Sequence, residues 1–208
     1  MEKKKYLNDP CGASSLSFWK TNSITIPDDL LILREDDPRL DELRQLYSDM
    51  PYFKLIHRMV KIERPALPVG FRFIYPDESV LCDHIAVCYL AERASASKLA
   101  ECRLRSTYAP DLWLAVMNED TDEIVASGIA ELDRDIGEGI LEWVQVSPAY
   151  RRKGFGSLIV CELLHRLRDR ADFVTVSGKE GDCSNPRALY ERCGFEAGVI
   201  WHVLNKNR

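Results

Sequence analysis

The chain has 208 residues, 46% of them hydrophobic and 29% charged, a balance that is ordinary for a folded globular protein and excludes wholesale disorder. A formal net charge of −5 offers no sequence-independent attraction to phosphate backbones, so nucleic acid is not an expected partner. The basic start Met1-Glu2-Lys3-Lys4-Lys5 is followed by neither the apolar stretch of a signal peptide nor an apolar span long enough for a membrane, so the cytoplasm is the expected location and no membrane role is expected.

Residues 1–66 read as a partly helical N-terminal extension, opening on the turn-rich Pro10-Cys11-Gly12-Ala13-Ser14-Ser15. Leu40, Leu43 and Leu46 predict a helix over Pro38–Tyr47, and Phe53, Ile56 and Met59 predict another over Tyr52–Val60. Pro65 and Pro68 then punctuate the chain, which places a boundary there and assigns residues 67–208 to a second domain. That domain opens with a strand at Phe71–Tyr75, ended by Pro76. Helices follow over Val80–Glu92, with Leu81, Ile85, Cys88 and Tyr89 on one face, and over Ala96–Arg105.

Leu112–Met117, Ile124–Leu132 and Gly139–Val146 are rich in β-branched and aromatic residues and are separated by turn residues, which predicts a three-stranded antiparallel meander. Gly154–Arg170 is the clearest helix, because Phe155, Leu158, Ile159, Leu163 and Leu167 hold one apolar stripe. A short strand at Phe173–Ser177 after that helix implies a right-handed crossover. The last helix is signposted by Asn185 as its cap, Pro186 at its first position and Gly194 just past its end. Phe195–Leu204, interrupted by Gly198, closes the chain as one or two strands. The sum is a mixed α/β class.

Seven cysteines at irregular spacing, with no C-x-x-C pair, argue for reduced thiols and against a zinc site or a disulfide framework. His57, His84, His165 and His202 also lack metal-ligand spacing, so no metal is expected. Trp113, Trp143 and Trp201 suit strand cores better than a platform for stacked bases.

The chemistry concentrates after the meander. Val144-Gln145-Val146-Ser147-Pro148-Ala149-Tyr150-Arg151-Arg152-Lys153-Gly154-Phe155-Gly156-Ser157 runs from a strand through a proline turn to the glycine-bearing start of a long helix. The first N–H groups of a helix lack internal partners, and its dipole places partial positive charge there, so such a mouth accepts an anion. The spacing is neither that of a Rossmann turn nor that of a P-loop. Two glycines alone equally permit a tight turn beside a solvated charge run.

The segment resembles the signature of the GNAT acetyltransferases: a Gln or Arg, two residues, Gly, one residue, then Gly or Ala, matched by Arg151, Gly154 and Gly156. Val146-Ser147-Pro148-Ala149-Tyr150-Arg151 is typical of the strand that precedes it. A second block, Asn185-Pro186-x-Ala188-Leu189-Tyr190-x-x-x-Gly194-Phe195, is similar to the family's late helix. The resemblance extends over about residues 69–208. It implies the GNAT acyl-CoA N-acyltransferase fold, a mixed and mostly antiparallel central sheet flanked by helices, with residues 1–66 unassigned.

The resemblance further implies acetyl-CoA as cosubstrate, no metal, and transfer of the acetyl group to a primary amine by direct attack. Its pantetheine arm would pair with the backbone of Val144 and Val146, in the splay between the Gly139–Val146 and Phe173–Ser177 strands. Its pyrophosphate would sit on N–H groups from Arg152, Lys153, Gly154, Phe155, Gly156 and Ser157, with charge from Arg151, Arg152 and Lys153, and Asn185 would face the cofactor. Tyr190 matches the family tyrosine that protonates the leaving thiolate.

Glu142 shares the face of Val144 and Val146 if strand alternation is regular, and could take the amine proton; a bulge would reverse that, and Glu131 and Asp133 are rivals. The expected acceptor is a small amine or a peptide, and a homodimer stays open. A module that binds acyl-CoA without turnover is the alternative.

Overall fold

The computed structural model describes residues 1–89, 96–182 and 184–206. In chain order the elements are α1 (Lys3–Asn8), α2 (Phe18–Ser23), β1 (Leu30–Arg34), α3 (Leu40–Leu43), β2 (Tyr47–His57), β3 (Phe71–Ile74), α4 (Glu78–Cys88), α5 (Ala96–Arg103), β4 (Trp113–Asn118), β5 (Ile124–Asp133), β6 (Glu138–Val146), α6 (Phe155–Leu167), β7 (Phe173–Lys179), α7 (Pro186–Arg192) and β8 (Glu196–Lys206). The chain divides into two compact units, one made of Met59–Val174 and the other of Met1–Arg58 with Thr175–Arg208. The second of these units joins residues that precede Pro65 and Pro68 to the end of the chain.

In the Met59–Val174 unit, β3, β4, β5 and β6 pair antiparallel in sequence order, with Phe71 opposite Asn118, Trp113 opposite Ile129 and Ala126 opposite Val146. The predicted meander is therefore present. One face is covered by α6, whose buried stripe includes Phe155, Ile159, Leu163 and Leu167. The helix lies so close to β5 that a Cβ on Gly128 would stand 2.5 Å from Ile159 Cγ2. The other face carries α4 and α5, where Leu81, Cys82, Ile85 and Leu99 pack with Trp113 and Ile129. Asp77 caps α4 by accepting the Val80 N–H at 2.9 Å, which satisfies one of its orphan donors. Residues 90–92 of the expected Val80–Glu92 helix lie outside the described residues, and α4 ends at Cys88.

In the other unit the strand order is β1, β8, β2, β7. Both β1 and β2 run antiparallel to β8, with Leu31 opposite Leu204 and Tyr52 opposite Trp201. The helix expected over Tyr52–Val60 is thus a strand. Phe53, Lys54, Leu55, Ile56 and His57 are all buried, and a strand buried on both faces lacks the apolar–polar alternation that marks a half-exposed one. Pro51 removes one ladder donor and obscures the pattern further, although its carbonyl accepts the Glu180 N–H at 2.8 Å.

The Pro38–Tyr47 helix shrinks to Leu40–Leu43, because Leu46 faces solvent at 60% exposure and Tyr47 already belongs to β2. Phe195–Leu204 proves to lie in the single strand β8, and a Cβ on its Gly198 would stand 1.4 Å from the Lys54 carbonyl oxygen. Only glycine lets β2 and β8 approach so closely.

This unit also buries an ammonium. Lys54 is 2% exposed, and its Nζ donates to the carbonyls of Pro10 at 2.8 Å, Ser14 at 3.0 Å and Leu16 at 2.8 Å and to Tyr6 Oη at 3.0 Å. These bonds tie residues 6–16 to β2.

Candidate functional site

The last turn of β6 departs from regular alternation. Glu142 lies opposite Ile129 and Gln145 opposite Ser127, so Trp143 and Val144 together face Gly128 alone. This is a β-bulge, and Trp143 takes φ 42° to make it, a left-handed conformation that is uncommon for a bulky residue and marks a built feature. The bulge sorts the side chains. Val144 packs beside Gly128 on the α6 face, its Cγ2 3.7 Å from where a Cβ there would stand, whereas Glu142 shares the opposite face with Ile129 and Gln145. The expected common face for Glu142, Val144 and Val146 therefore does not form, since one inserted residue reverses the alternation.

Past the bulge, Val146 lies opposite Ala126, and the flanking bond runs from Ser147 N–H to Val125 C=O at 2.9 Å. This pattern makes Ala126 and Val146 a non-hydrogen-bonded pair, so Val146 turns its own N–H and C=O away from β5. Arg151 Nε donates to that carbonyl at 3.2 Å, and its NH2 group donates to Cys88 C=O, at the end of α4, at 3.0 Å. The arginine of the motif thus braces the loop against α4. Tyr89, expected on an apolar helical face, lies just past α4 and its hydroxyl donates to Val144 C=O at 3.1 Å. Nothing in sequence spacing joins residue 89 to residue 144, so this contact was not readable beforehand.

A 3-10 turn over Pro148–Tyr150 leads into the helix mouth. Arg152 at φ 60° and Gly154 at φ 90° are both left-handed, and Gly154 is the N-cap of α6 without any side-chain cap. A Cβ at Gly154 would meet nothing within 4 Å, so the space beside that residue is open. Arg151, Arg152, Lys153 and Gly154 are exposed, Gly156 and Ser157 are half-buried, and the Phe155 ring is buried 4.8 Å from Phe71 and 5.9 Å from Tyr150. Lys153 Nζ lies 5.1 Å over the Tyr150 ring. What the mouth offers an anion is backbone N–H, with Arg152 and Lys153 at its rim.

Of the rival carboxylates, Glu131 is buried and accepts from Arg105 at 2.6 Å, and Asp133 is buried and accepts the Asp135 N–H at 3.0 Å. Glu142 is half-buried and shares their face. Tyr190 and Asn185 belong to the other unit. Asn185, left-handed at φ 48°, caps α7 through Oδ1, which accepts the Ala188 N–H at 3.3 Å. Tyr190 is 7% exposed, with the rings of Phe53 at 6.1 Å and Phe195 at 5.6 Å. Cys183 lies outside the described residues. Among the described residues no group of His, Cys, Asp or Glu is arranged to hold a metal ion, and no helix is long and apolar enough to cross a membrane.

The acetyltransferase (GNAT) domain family matches residues 110–197, which span β4 to the start of β8. No curated protein matches the chain in sequence. Among solved structures, a GCN5-related N-acetyltransferase of Sphaerobacter thermophilus is 16% identical with a TM-score of 0.71 over 85% of this chain. A Drosophila protein is 16% identical with a TM-score of 0.64 over 92%, and a GNAT-family acetyltransferase of Colwellia psychrerythraea is 11% identical with a TM-score of 0.58 over 84%. Such identities speak for the fold alone. This chain spans 58%, 66% and 64% of those three proteins. The bulged strand and the uncapped, glycine-led helix mouth thus lie within residues 110–197, which match the GNAT acetyltransferase domain family, in a chain with the fold of GNAT structures.

Proposed function

We propose that the chain is an acetyl-CoA-dependent N-acetyltransferase that delivers the acetyl group to a primary amine by direct attack. The observation that carries this reading is the start of α6, where Gly154 leads into the helix with no side-chain cap and with open space beside it. A diphosphate suits those N–H groups, and the outward-turned N–H of Val146 suits a carbonyl of an amide-bearing arm, the Val146 C=O being held by Arg151.

In this reading the backbone of Arg152, Lys153, Gly154, Phe155, Gly156 and Ser157 holds the pyrophosphate, and Arg152 and Lys153 add charge. Arg151 serves by bracing the loop, since its guanidinium is already engaged by two carbonyls. Val144 and Val146 hold the pantetheine. The bound cosubstrate supplies an activated thioester; the amine must reach it neutral, so a base has to take a proton. Glu142, half-buried on the face of Ile129, fills that role. Tyr190 donates a proton to the departing thiolate. The acceptor class is a small amine or a peptide amine, and the setting is the cytoplasm.

The test is an acetyl-CoA turnover screen across amino acids, polyamines, aminosugars and N-terminal peptides, read by free thiol release. Acceptor-dependent release is the expected result. CoA at a hundredfold excess over its Kd should also stabilise the protein by about 2.7 kcal/mol, an effect not reproduced by ATP or NAD. Stabilisation by CoA without turnover of any acceptor would favour a non-catalytic acyl-CoA sensor, and equal stabilisation by ATP would refute both readings.

A further inference from the structure

A histidine that lies outside the proposed chemistry is held between the two strands that form the bulge. His84 on α4 is 5% exposed. Its Nδ1 lies 2.7 Å from Ser127 Oγ on β5, and its Nε2 lies 2.9 Å from Ser147 Oγ, the residue that follows β6. Ser127 Oγ also receives Gln145 Nε2 at 2.5 Å, and Ser147 Oγ donates to Ile124 C=O at 2.8 Å.

Each hydroxyl has one proton, and that fixes the order of the network. Ser147 gives its proton to the Ile124 carbonyl, so it accepts from His84 and places the ring hydrogen on Nε2. Nδ1 is then an acceptor, which Ser127 fills with its own proton, and Ser127 in turn accepts from Gln145. The path runs one way: Gln145 to Ser127 to His84 to Ser147 to Ile124. A neutral ring is required, and burial agrees by pushing the His84 pKa down to about 4. Cys88 Sγ, 3.5 Å from Nε2, does not compete as a thiolate, because burial raises its pKa to about 11.

Two members of this path, Gln145 and Ser147, are the neighbours of Val146 on either side. We infer that His84 is a positioning residue for the acyl-CoA site: by holding Gln145 through Ser127 and Ser147 directly, it fixes the direction in which Val146 presents its N–H and C=O. The inference rests on the acyl-CoA reading given above. The bulge makes such a clamp useful, because Trp143 and Val144 oppose a single residue and leave the strand's twist weakly specified by the ladder. The same clamp sets the start of the Pro148–Tyr150 turn that leads to the helix mouth.

The probe is CoA itself, titrated calorimetrically into the full chain, with thermal unfolding measured alongside. Relative to wild type, His84→Ala should weaken CoA binding about tenfold, the worth of one good hydrogen bond. His84→Gln, whose amide nitrogen can occupy the Nε2 position and donate to Ser147, should recover most of that loss. His84→Asn, which reaches only Ser127, should not. If His84→Ala does not fold, Ser147→Ala cuts the same link with the ring retained and should show the same weakening. A merely structural histidine would lower the unfolding temperature in all variants while leaving the CoA Kd within twofold of wild type, and that result overturns the inference alone. Wild-type protein that gives no heat with CoA overturns the acyl-CoA reading, and the inference falls with it.

Discussion

The two units solve the same problem, a buried sheet face, from opposite supplies of chain. The Met59–Val174 unit takes its strands β3 to β6 in sequence order, so most of its pairings close over local turns. The other unit draws β1 and β2 from residues before 58 and most of β7 and all of β8 from Thr175 onward, and β2 enters between two strands from the far end of the chain. Their polar cores differ in kind as well. One buries a cation on carbonyls around Lys54, the other a neutral ring between hydroxyls at His84. The lesson is that long-range pairing needs its own local fasteners, here a glycine approach and a lysine clasp, whereas the sequential unit can place its buried polar group beside the bulged strand.

That contrast can be broken most sharply at Gly198. A methyl group there would collide with backbone, 1.4 Å from the Lys54 carbonyl oxygen, and backbone cannot swing aside as a side chain can. Gly198→Ala should therefore cost more than about 3 kcal/mol in chemical denaturation, beyond the usual range for overpacking. The matching substitution in the sequential unit, Gly128→Ala, meets the side chains of Ile159 and Leu163, which can rotate. Its expected cost is smaller, about 1–3 kcal/mol. Equal costs would show that strand approach in the two units is not governed differently.

Acid should expose the neutral ring next. The folded-state pKa of His84 is depressed to about 4 by burial, while the unfolded chain titrates near the ordinary value of 6.5. The unfolded state therefore binds the proton first, so this contribution to stability is complete above about pH 6.5, falls as pH drops, and levels off below about 4. The total change is about 3 kcal/mol. Urea titrations across that window should show the loss, and His84→Gln should flatten it; an unchanged slope in that variant would assign the acid sensitivity elsewhere.

Lys54→Met should cost about 2 kcal/mol by leaving the Pro10, Ser14 and Leu16 carbonyls short of a donor. Amide exchange should then accelerate across residues 6–16 and not in β4 or β5. The smallest effect is expected at Asn185, whose side chain caps α7: Asn185→Ala should cost about 1 kcal/mol. If that substitution also weakens CoA binding, the asparagine has a second duty beyond its cap.

How much of this was readable follows the same division. The meander, the long helix after it and the signposts of α7 were legible because their determinants are local: β-branched runs, one apolar stripe, Asn185, Pro186 and Gly194. The helix wrongly expected at Tyr52–Val60 shows the limit, since Phe53 and Ile56 sit at a spacing that serves either structure, and only β8 and β7 on its two sides make it a strand. At the site, the glycine loop announced itself, but the face of Glu142 did not, because a one-residue bulge has no signal in composition. His84 likewise stood as an isolated histidine; Ser127 and Ser147 are far from it in sequence and meet it only through α4 packing on the sheet.

By itself the sequence determined the local elements from Phe71 onward and the family motif at Arg151, Gly154 and Gly156, since propensity, capping and turn chemistry act over a few residues. Tertiary structure alone decided that the first 58 residues pack with the last strands, that Arg151 braces carbonyls, and that the bulge parts Glu142 from Val144. The physical reason is that register and long-range pairing depend on which distant surfaces are buried together, a property of the folded whole that no short window of residues carries.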